Sequence, residues 1–197
     1  MTSRVTFISP AMNAALRQAR FDDGRTPLDT TGAAQAAAAA GTLPSPARVL
    51  TSPSSRCQET AEALGLLGLL GPAIPELAAL DVGRWRGRSL DEVSAAEPEP
   101  VGRWLTDPGC APHGGESVRD LCDRVARWLT TAQDLDGRTL AVVEPEIVRA
   151  AVLHALGMPT AAFWRLDVAP LTATELSGRA GRWNLRLGRP LAAPDTD

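Results

Sequence analysis

Short apolar runs alternate with longer amphipathic stretches along this chain. Residues 4–8 (RVTFI) form a strand-length run that stops at Ser9-Pro10. "ARVLTSP" (47–53) and "RTLAVVEPE" (138–146) repeat the form, an apolar run followed by a polar, proline-bearing turn. Between them, "TPLDTTGAAQAAAAAG" (26–41) predicts a turn and then a helix, with Thr30 or Thr31 as N-cap and Gly41 as stop. "RCQETAEALGLL" (56–67) predicts a second helix. Val118, Leu121, Val125 and Leu129 recur at spacings of 3 and 4, the stripe of a helix docked on a sheet. "IVRAAVLHALGMP" (147–159) predicts another helix, and "PLTATELS" (170–177) and "RWNLRLG" (182–188) two final strands. Strand–helix alternation predicts a three-layer α/β/α sandwich with a mostly parallel central sheet. Residues 72–115, rich in proline and glycine, predict an excursion with short helices. The whole reads as one domain over residues 1–189 with a flexible tail at 190–197.

With 44% hydrophobic and 22% charged residues and a net charge of −3, the chain falls in the globular class. Its basic residues are all arginine, and the mild acidity argues against a general nucleic-acid binder. Cys57, Cys110 and Cys122 are odd in number and irregularly spaced, which disfavours a disulfide framework or a zinc site and points to reduced cytosolic thiols. No metal or cofactor is expected. "MTSRVTFIS" lacks the apolar core of a signal peptide. The nearest membrane candidate, "LGLLGLLG" (64–71), is far short of the roughly 20 residues that span a bilayer. The expectation is a cytoplasmic protein with no membrane partner.

The strand ends and their flanking text resemble the histidine phosphatase superfamily (phosphoglycerate mutase-like) across nearly the whole chain. The residues that carry the likeness are "ARF" (19–21), "TPLDTTGAAQA" (26–36), "TSPSSRCQETA" (51–61), "ALDVGRWRG" (79–87), "PHGGES" (112–117) and "VVEPEIVRAAVLHALGMP" (142–159). The resemblance implies a phosphoglycerate mutase-like fold. It also implies a reaction in which a histidine at the end of the first strand takes up a phosphoryl group.

At the chemistry the likeness breaks. The position of the nucleophilic histidine is Pro10, that of the neighbouring phosphate-clamping arginine is Ser9, that of the proton-donating glutamate is Ala79, and that of the second histidine is Pro145. Only the arginine after the second strand, Arg56, keeps its place. Proline can neither attack phosphorus nor donate a side-chain hydrogen bond. The chain's only histidines, His113 and His154, lie far along the sequence from both strand ends.

Charge points the same way. Arg56 faces Glu144 and Glu146, a swing of roughly three units towards negative relative to a site of two arginines and a histidine. A like-charge contact at about 4 Å costs on the order of 4 kcal/mol at an effective dielectric near 20. Phosphoryl transfer relies on positioning and cationic stabilisation.

Each candidate carries two accounts. Arg56 either binds an anionic group or is paired with Glu144 or Glu146. Those two glutamates, pointing the same way if strand geometry persists, either serve as acid and base or are acids on an inactive site. His113 is a loop histidine that could border a ligand, with a surface position the plainer account. Glu116 is either a rim residue or simply a helix-opening acid. Trp85 and the other tryptophans, Trp104, Trp128, Trp164 and Trp183, either line an apolar pocket or pack the core.

The reading that follows is a catalytically degenerate, non-catalytic ligand-binding or regulatory protein, a pseudophosphatase. One alternative is an enzyme of another reaction class, using Glu144 or Glu146 as acid or base with Arg56 orienting the substrate. The other is residual phosphatase or mutase activity. The partner is an unidentified small molecule or protein. A homodimer is left open, dimers being common in the superfamily the chain resembles.

Overall fold

The computed structural model describes residues 3–134, 137–179 and 181–191. In chain order the elements are β1 (Ser3–Ile8), α1 (Ala14–Arg17), α2 (Thr30–Ala38), β2 (Arg48–Thr51), α3 (Ser55–Ala63), α4 (Leu90–Ala96), α5 (Pro98–Thr106), α6 (Val118–Ala132), β3 (Arg138–Val142), α7 (Pro145–Leu156), β4 (Thr172–Arg179) and β5 (Arg182–Pro190), with short 3₁₀ turns between several of them. The sheet order is β2-β3-β1-β4-β5. β1, β2 and β3 are mutually parallel, β4 runs antiparallel to β1, and β5 antiparallel to β4.

Four strands therefore share one direction and β4 is reversed, so the sheet is mixed rather than simply parallel. Only two residues separate β4 from β5, and so short a link joins antiparallel neighbours, whereas β1, β2 and β3 are each followed by helical crossovers.

Alternation along the central strands builds the layers. Val5 and Phe7 of β1, with Ala141 and Val143 at β3, face a core closed by α6, α7 and the excursion. Ile8, Leu140 and Val142 face the opposite side, where Ala36 of α2 and Cys57 and Ala61 of α3 close a second core. Each inner strand is thus buried on both faces, as expected where helices cover a sheet from both sides. The stripe on α6 is observed as expected: Val118, Leu121, Val125 and Leu129 are each at most 1% exposed.

Two local expectations are corrected. The N-cap of α2 is Asp29, whose side chain accepts from the Gly32 N–H at 2.6 Å, and Thr30 and Thr31 are already helical. Gly32 leaves no choice of register, because a Cβ there would lie 2.3 Å from the Met12 carbonyl oxygen. At the C-terminus, Pro190 belongs to β5, and Leu191 is buried with its N–H donating to the Leu171 carbonyl at 2.8 Å. The rest of the tail, residues 192–197, lies outside the described residues.

The excursion is pinned by glycines. A Cβ on Gly83 would meet the His113 carbonyl oxygen at 2.2 Å, and one on Gly115 would meet the Asp81 carbonyl oxygen at 2.0 Å. The loops "ALDVGRWRG" and "PHGGES" therefore pack backbone on backbone, joined by Arg84 N–H to His113 (3.1 Å) and Glu116 N–H to Asp81 (2.8 Å). This contact seats the excursion over the C-terminal ends of β1 and β3.

Gly115→Ala is expected to destabilise the fold by about 1–3 kcal/mol through overpacking. Gly102→Ala, in exposed α5 with open space around it, is expected to stabilise by about 0.5–1 kcal/mol. Urea denaturation of both variants checks the pair.

Candidate functional site

The parallel strands β1, β2 and β3 deliver their C-terminal ends to one place, where open α/β sheets hold their ligand sites. After β1 the chain continues through Ser9, whose N–H donates to the Thr172 carbonyl and whose own carbonyl accepts from Leu171, both at 3.0 Å. Ser52, after β2, donates to the Val142 carbonyl at 2.9 Å, and Val143, after β3, donates to Ile8 at 3.0 Å. These bonds fix the three exits against one another.

Ser54 then caps α3, accepting from the Cys57 N–H, which puts Arg56 on the first turn of that helix. Glu144 is the N-cap residue of α7 and Pro145 its first residue. Proline suits that position, since its missing N–H would have no helical partner there. Glu144 and Glu146 thus stand at a helix start rather than in continued strand geometry.

A cleft of about 300 Å³ opens over these ends. Ser9, Pro10, Arg56 and Ala79 line it, and so do Glu144, Pro145 and Glu146. The three other residues expected near a ligand stand elsewhere. Trp85 is fully buried in the core. His113, expected on a surface loop, is only 2% exposed: its ring packs edge-on against Trp85 at 4.9 Å, and its Nδ1 accepts from the Gly115 N–H. Burial among the tryptophans pushes its pKa down, favouring the neutral ring. Glu116 is clamped through both oxygens by Arg124 of α6, at 2.9 and 2.7 Å, and Arg124 also donates to the Ala78 carbonyl. That glutamate ties the excursion to α6, away from the cleft wall.

Some wall residues were not singled out from the sequence. Arg149 lies one turn along α7 from Pro145 and Glu146, so the i, i+3 and i+4 spacing of a helix was the available signal. Its Nε donates to the Leu166 carbonyl at 2.7 Å, and its guanidinium sits 5.7 Å from the Trp164 ring centroid. Arg20, Phe21 and Asp22 line the cleft from the loop after α1. Trp104 and Trp164, two of the tryptophans the sequence offered for an apolar pocket, stand with ring centroids 4.5 Å apart and form the aromatic wall.

The floor is electrostatically closed. The Arg56 guanidinium pairs with Glu144 Oε2, and the two side chains are 5% and 8% exposed. Ser54 Oγ donates to Glu144 Oε1 at 2.7 Å, and the Cys57 thiol lies 3.6 Å from the same oxygen. Burial opposes the charge on Arg56, but the Glu144 carboxylate and its hydrogen bond outweigh it and raise the pKa. Burial, and then the neighbouring Glu144 charge, push the Cys57 thiol far up, leaving it protonated and unreactive. Glu146 is raised in turn, first by burial and then by Glu144, although its Oε1 accepts from the Leu80 N–H at 3.3 Å.

Residues 13–189 match the histidine phosphatase superfamily (branch 1), and the chain belongs to that family. The match begins three residues beyond Pro10. A Mycobacterium tuberculosis protein described as bifunctional is 30% identical over 182 residues, which is 88% of this chain and 50% of that one; the chain thus spans about half the length of this relative. A glucosyl-3-phosphoglycerate phosphatase from Mycolicibacterium vanbaalenii is 33% identical over 146 residues, 68% of this chain and 65% of its own. Among solved structures, a mycobacterial glucosyl-3-phosphoglycerate phosphatase superposes with a TM-score of 0.81 at 25% identity, covering 98% of this chain and all of that one. The α-ribazole phosphatase of Shigella flexneri, at 22% identity and TM-score 0.86 over 98% of this chain and 100% of its own, shares the fold.

Glu144→Ala leaves Arg56 buried and unpaired, and is expected to lower stability by about 3–5 kcal/mol, whereas the Arg56→Met, Glu144→Leu double variant stays near wild type. Equilibrium urea unfolding separates the two outcomes. Glu146 has a folded-state pKa above its ordinary value, so its contribution to stability is full below about pH 4.5 and falls as pH rises through the elevated value. Glu146→Gln is expected to abolish that fall and to be the more stable protein at pH 7, read from melting temperatures at pH 4 to 8.

Proposed function

We propose that this chain is a non-catalytic member of the histidine phosphatase superfamily, a pseudophosphatase that uses its cleft to bind rather than to transfer a phosphoryl group. One observation carries the reading: Arg56, the buried cation of the floor, is already neutralised by Glu144, and a proline follows both flanking strand ends. Phosphoryl transfer needs a nucleophile and free positive charge aimed at the equatorial oxygens. Neither histidine of the chain supplies the first, His113 being locked in the core and His154 standing exposed on α7. An incoming dianion would meet Glu146 beside an occupied arginine.

The relatives named as phosphatases favour retained phosphatase activity on identity alone. The residues at this chain's strand ends oppose it. A second reading has one observation in its favour: Glu146 keeps its proton to higher pH on the wall of a cleft, as a general acid does. We place the protein in a bacterial cytoplasm, a setting that suits its free cysteines.

The wild type is expected to give no p-nitrophenyl phosphate hydrolysis above background between pH 5 and 8, and no labelled protein after exposure to a ³²P-phosphoryl donor. A Ser9→Arg, Pro10→His, Ala79→Glu, Pro145→His variant run beside it tests whether the scaffold still accepts the reagents. A burst of p-nitrophenolate from the wild type, or a stable phospho-protein, would contradict the proposal. A pH-dependent reaction on another substrate, lost in Glu146→Gln with folding intact, would select the second reading.

A further inference from the structure

The open part of one sheet face is strongly cationic, and strand register decides which residues share it. Arg4 stands opposite Arg138 and Ser177, and Glu175 opposite Thr6 and Arg186. Ser177 is also opposite Asn184, Arg179 opposite Arg182, and Arg189 opposite Ala173. Directly paired residues lie on one face, and residues two apart return to it. Ile8, Leu140 and Ala173 belong to this face further along the strands, where α2 and α3 close a core. α2 brings no charged residue to the border. The open part therefore gathers Arg4, Arg138, Arg179, Arg182, Arg186 and Arg189, with Glu175 the one acid among its described residues. That is a face of net +5 on a chain of net −3. Arg138 is half-buried and the other five arginines are exposed. Among the described residues none of the six forms an ion pair, whereas arginines elsewhere in the chain do.

The arrangement works against the fold on its own. Arg4 and Arg138 are opposite neighbours on adjacent strands, as are Arg179 and Arg182, and like charges set that close repel. Beside them β5 is the last strand of the sheet, so among the described residues one row of its backbone N–H and C=O groups has no strand partner. A polypeptide can pair with that row, and a nucleic acid or a lipid headgroup cannot. The described residues of the face include no aromatic side chain for base stacking, Trp183 being packed into the core, and none of the exposed large apolar residues that would enter a bilayer. A second copy brought edge to edge would set arginine against arginine, which is how charged edges keep sheets apart. An extended segment with acids at alternate positions fits instead, because Arg182, Asn184 and Arg186 recur at every second residue of β5.

We propose that β5 and this arginine face bind an acidic, extended segment of another protein, which adds as a further strand along β5 and lays alternate carboxylates against Arg182 and Arg186. Such a segment relieves the repulsion among the arginines and pairs the open edge in one step. Arg4 and Arg138 stand at the N-terminal ends of β1 and β3, and the cleft opens over the C-terminal ends. The surface is therefore separate from the cleft and independent of what the cleft binds or catalyses.

The test titrates the full chain with a labelled peptide of alternating acids, Thr-Glu-Val-Glu-Val-Glu-Thr, and with its glutamine counterpart, read by fluorescence anisotropy. Labelled oligothymidylate and sedimented phosphatidylserine vesicles are run beside them. The acidic peptide is expected to bind at least about tenfold tighter than the glutamine peptide and to weaken about tenfold or more in Arg182→Ser, Arg186→Ser. It is also expected to slow amide hydrogen exchange along β5. If the double variant fails to fold, Arg4→Ser serves in its place, with an expected loss of about threefold. The proposal is overturned if the acidic peptide fails to bind by about 1 mM, if the glutamine peptide binds as well, if the variants bind unchanged, or if exchange along β5 is unaltered. It is overturned equally if oligothymidylate or the vesicles bind more tightly than the peptide and lose that binding in the same variants, or if self-association of the chain alone protects β5.

Discussion

A buried ion pair between Arg56 and Glu144 sets the character of the cleft. Both side chains are nine-tenths or more buried, so each is held in a place water barely reaches only because the other is there. Ser54 donates to one carboxylate oxygen and Arg56 to the other, so both oxygens of Glu144 are engaged and its charge is set against that of Arg56. Any phosphate that claimed Arg56 would have to evict Glu144 and strand it without a partner. Burial first, and then the same carboxylate, raise the pKa of Glu146 and of the Cys57 thiol. One contact thus neutralises the floor and adds to what burial does in raising the pKa of Cys57 and of Glu146.

The scaffold around this floor is intact, and the reason is physical. The motifs that place the chain in its family are mostly requirements of packing. Gly83 and Gly115 are glycines because two backbones approach too closely for a Cβ. Asp29 and Gly32 begin α2 against the loop after β1, and Pro145 begins α7. Constraints of this kind are indifferent to what stands at Ser9, Pro10 or Ala79. A chain can therefore replace its reagents and retain its fold, and the family likeness says more about architecture than about chemistry here.

Much of that architecture was legible. Strand runs ending at Ser9-Pro10, Ser52-Pro53 and Glu144-Pro145 announced three strand exits, and the stripe from Val118 to Leu129 announced α6. The union of Pro10, Arg56, Ala79, Pro145 and the two glutamates in one cleft followed once the exits converged. What stayed hidden depends on partners distant in sequence. Glu116 reads as an open acid until Arg124 is seen clamping it, and His113 reads as a loop residue until Trp85 covers it. The reversal of β4 lies in its antiparallel pairing with β1, a partner distant in sequence that apolar patterning alone does not orient.

The most direct measurement is calorimetric titration of the wild-type chain with inorganic phosphate at pH 7. A buried arginine paired with Glu144, with Glu146 beside it, predicts no saturable heat at millimolar phosphate. Saturable binding with a dissociation constant of about 100 µM or tighter, abolished by Arg56→Ala, would show that the cation is available after all and that the account of the cleft is wrong.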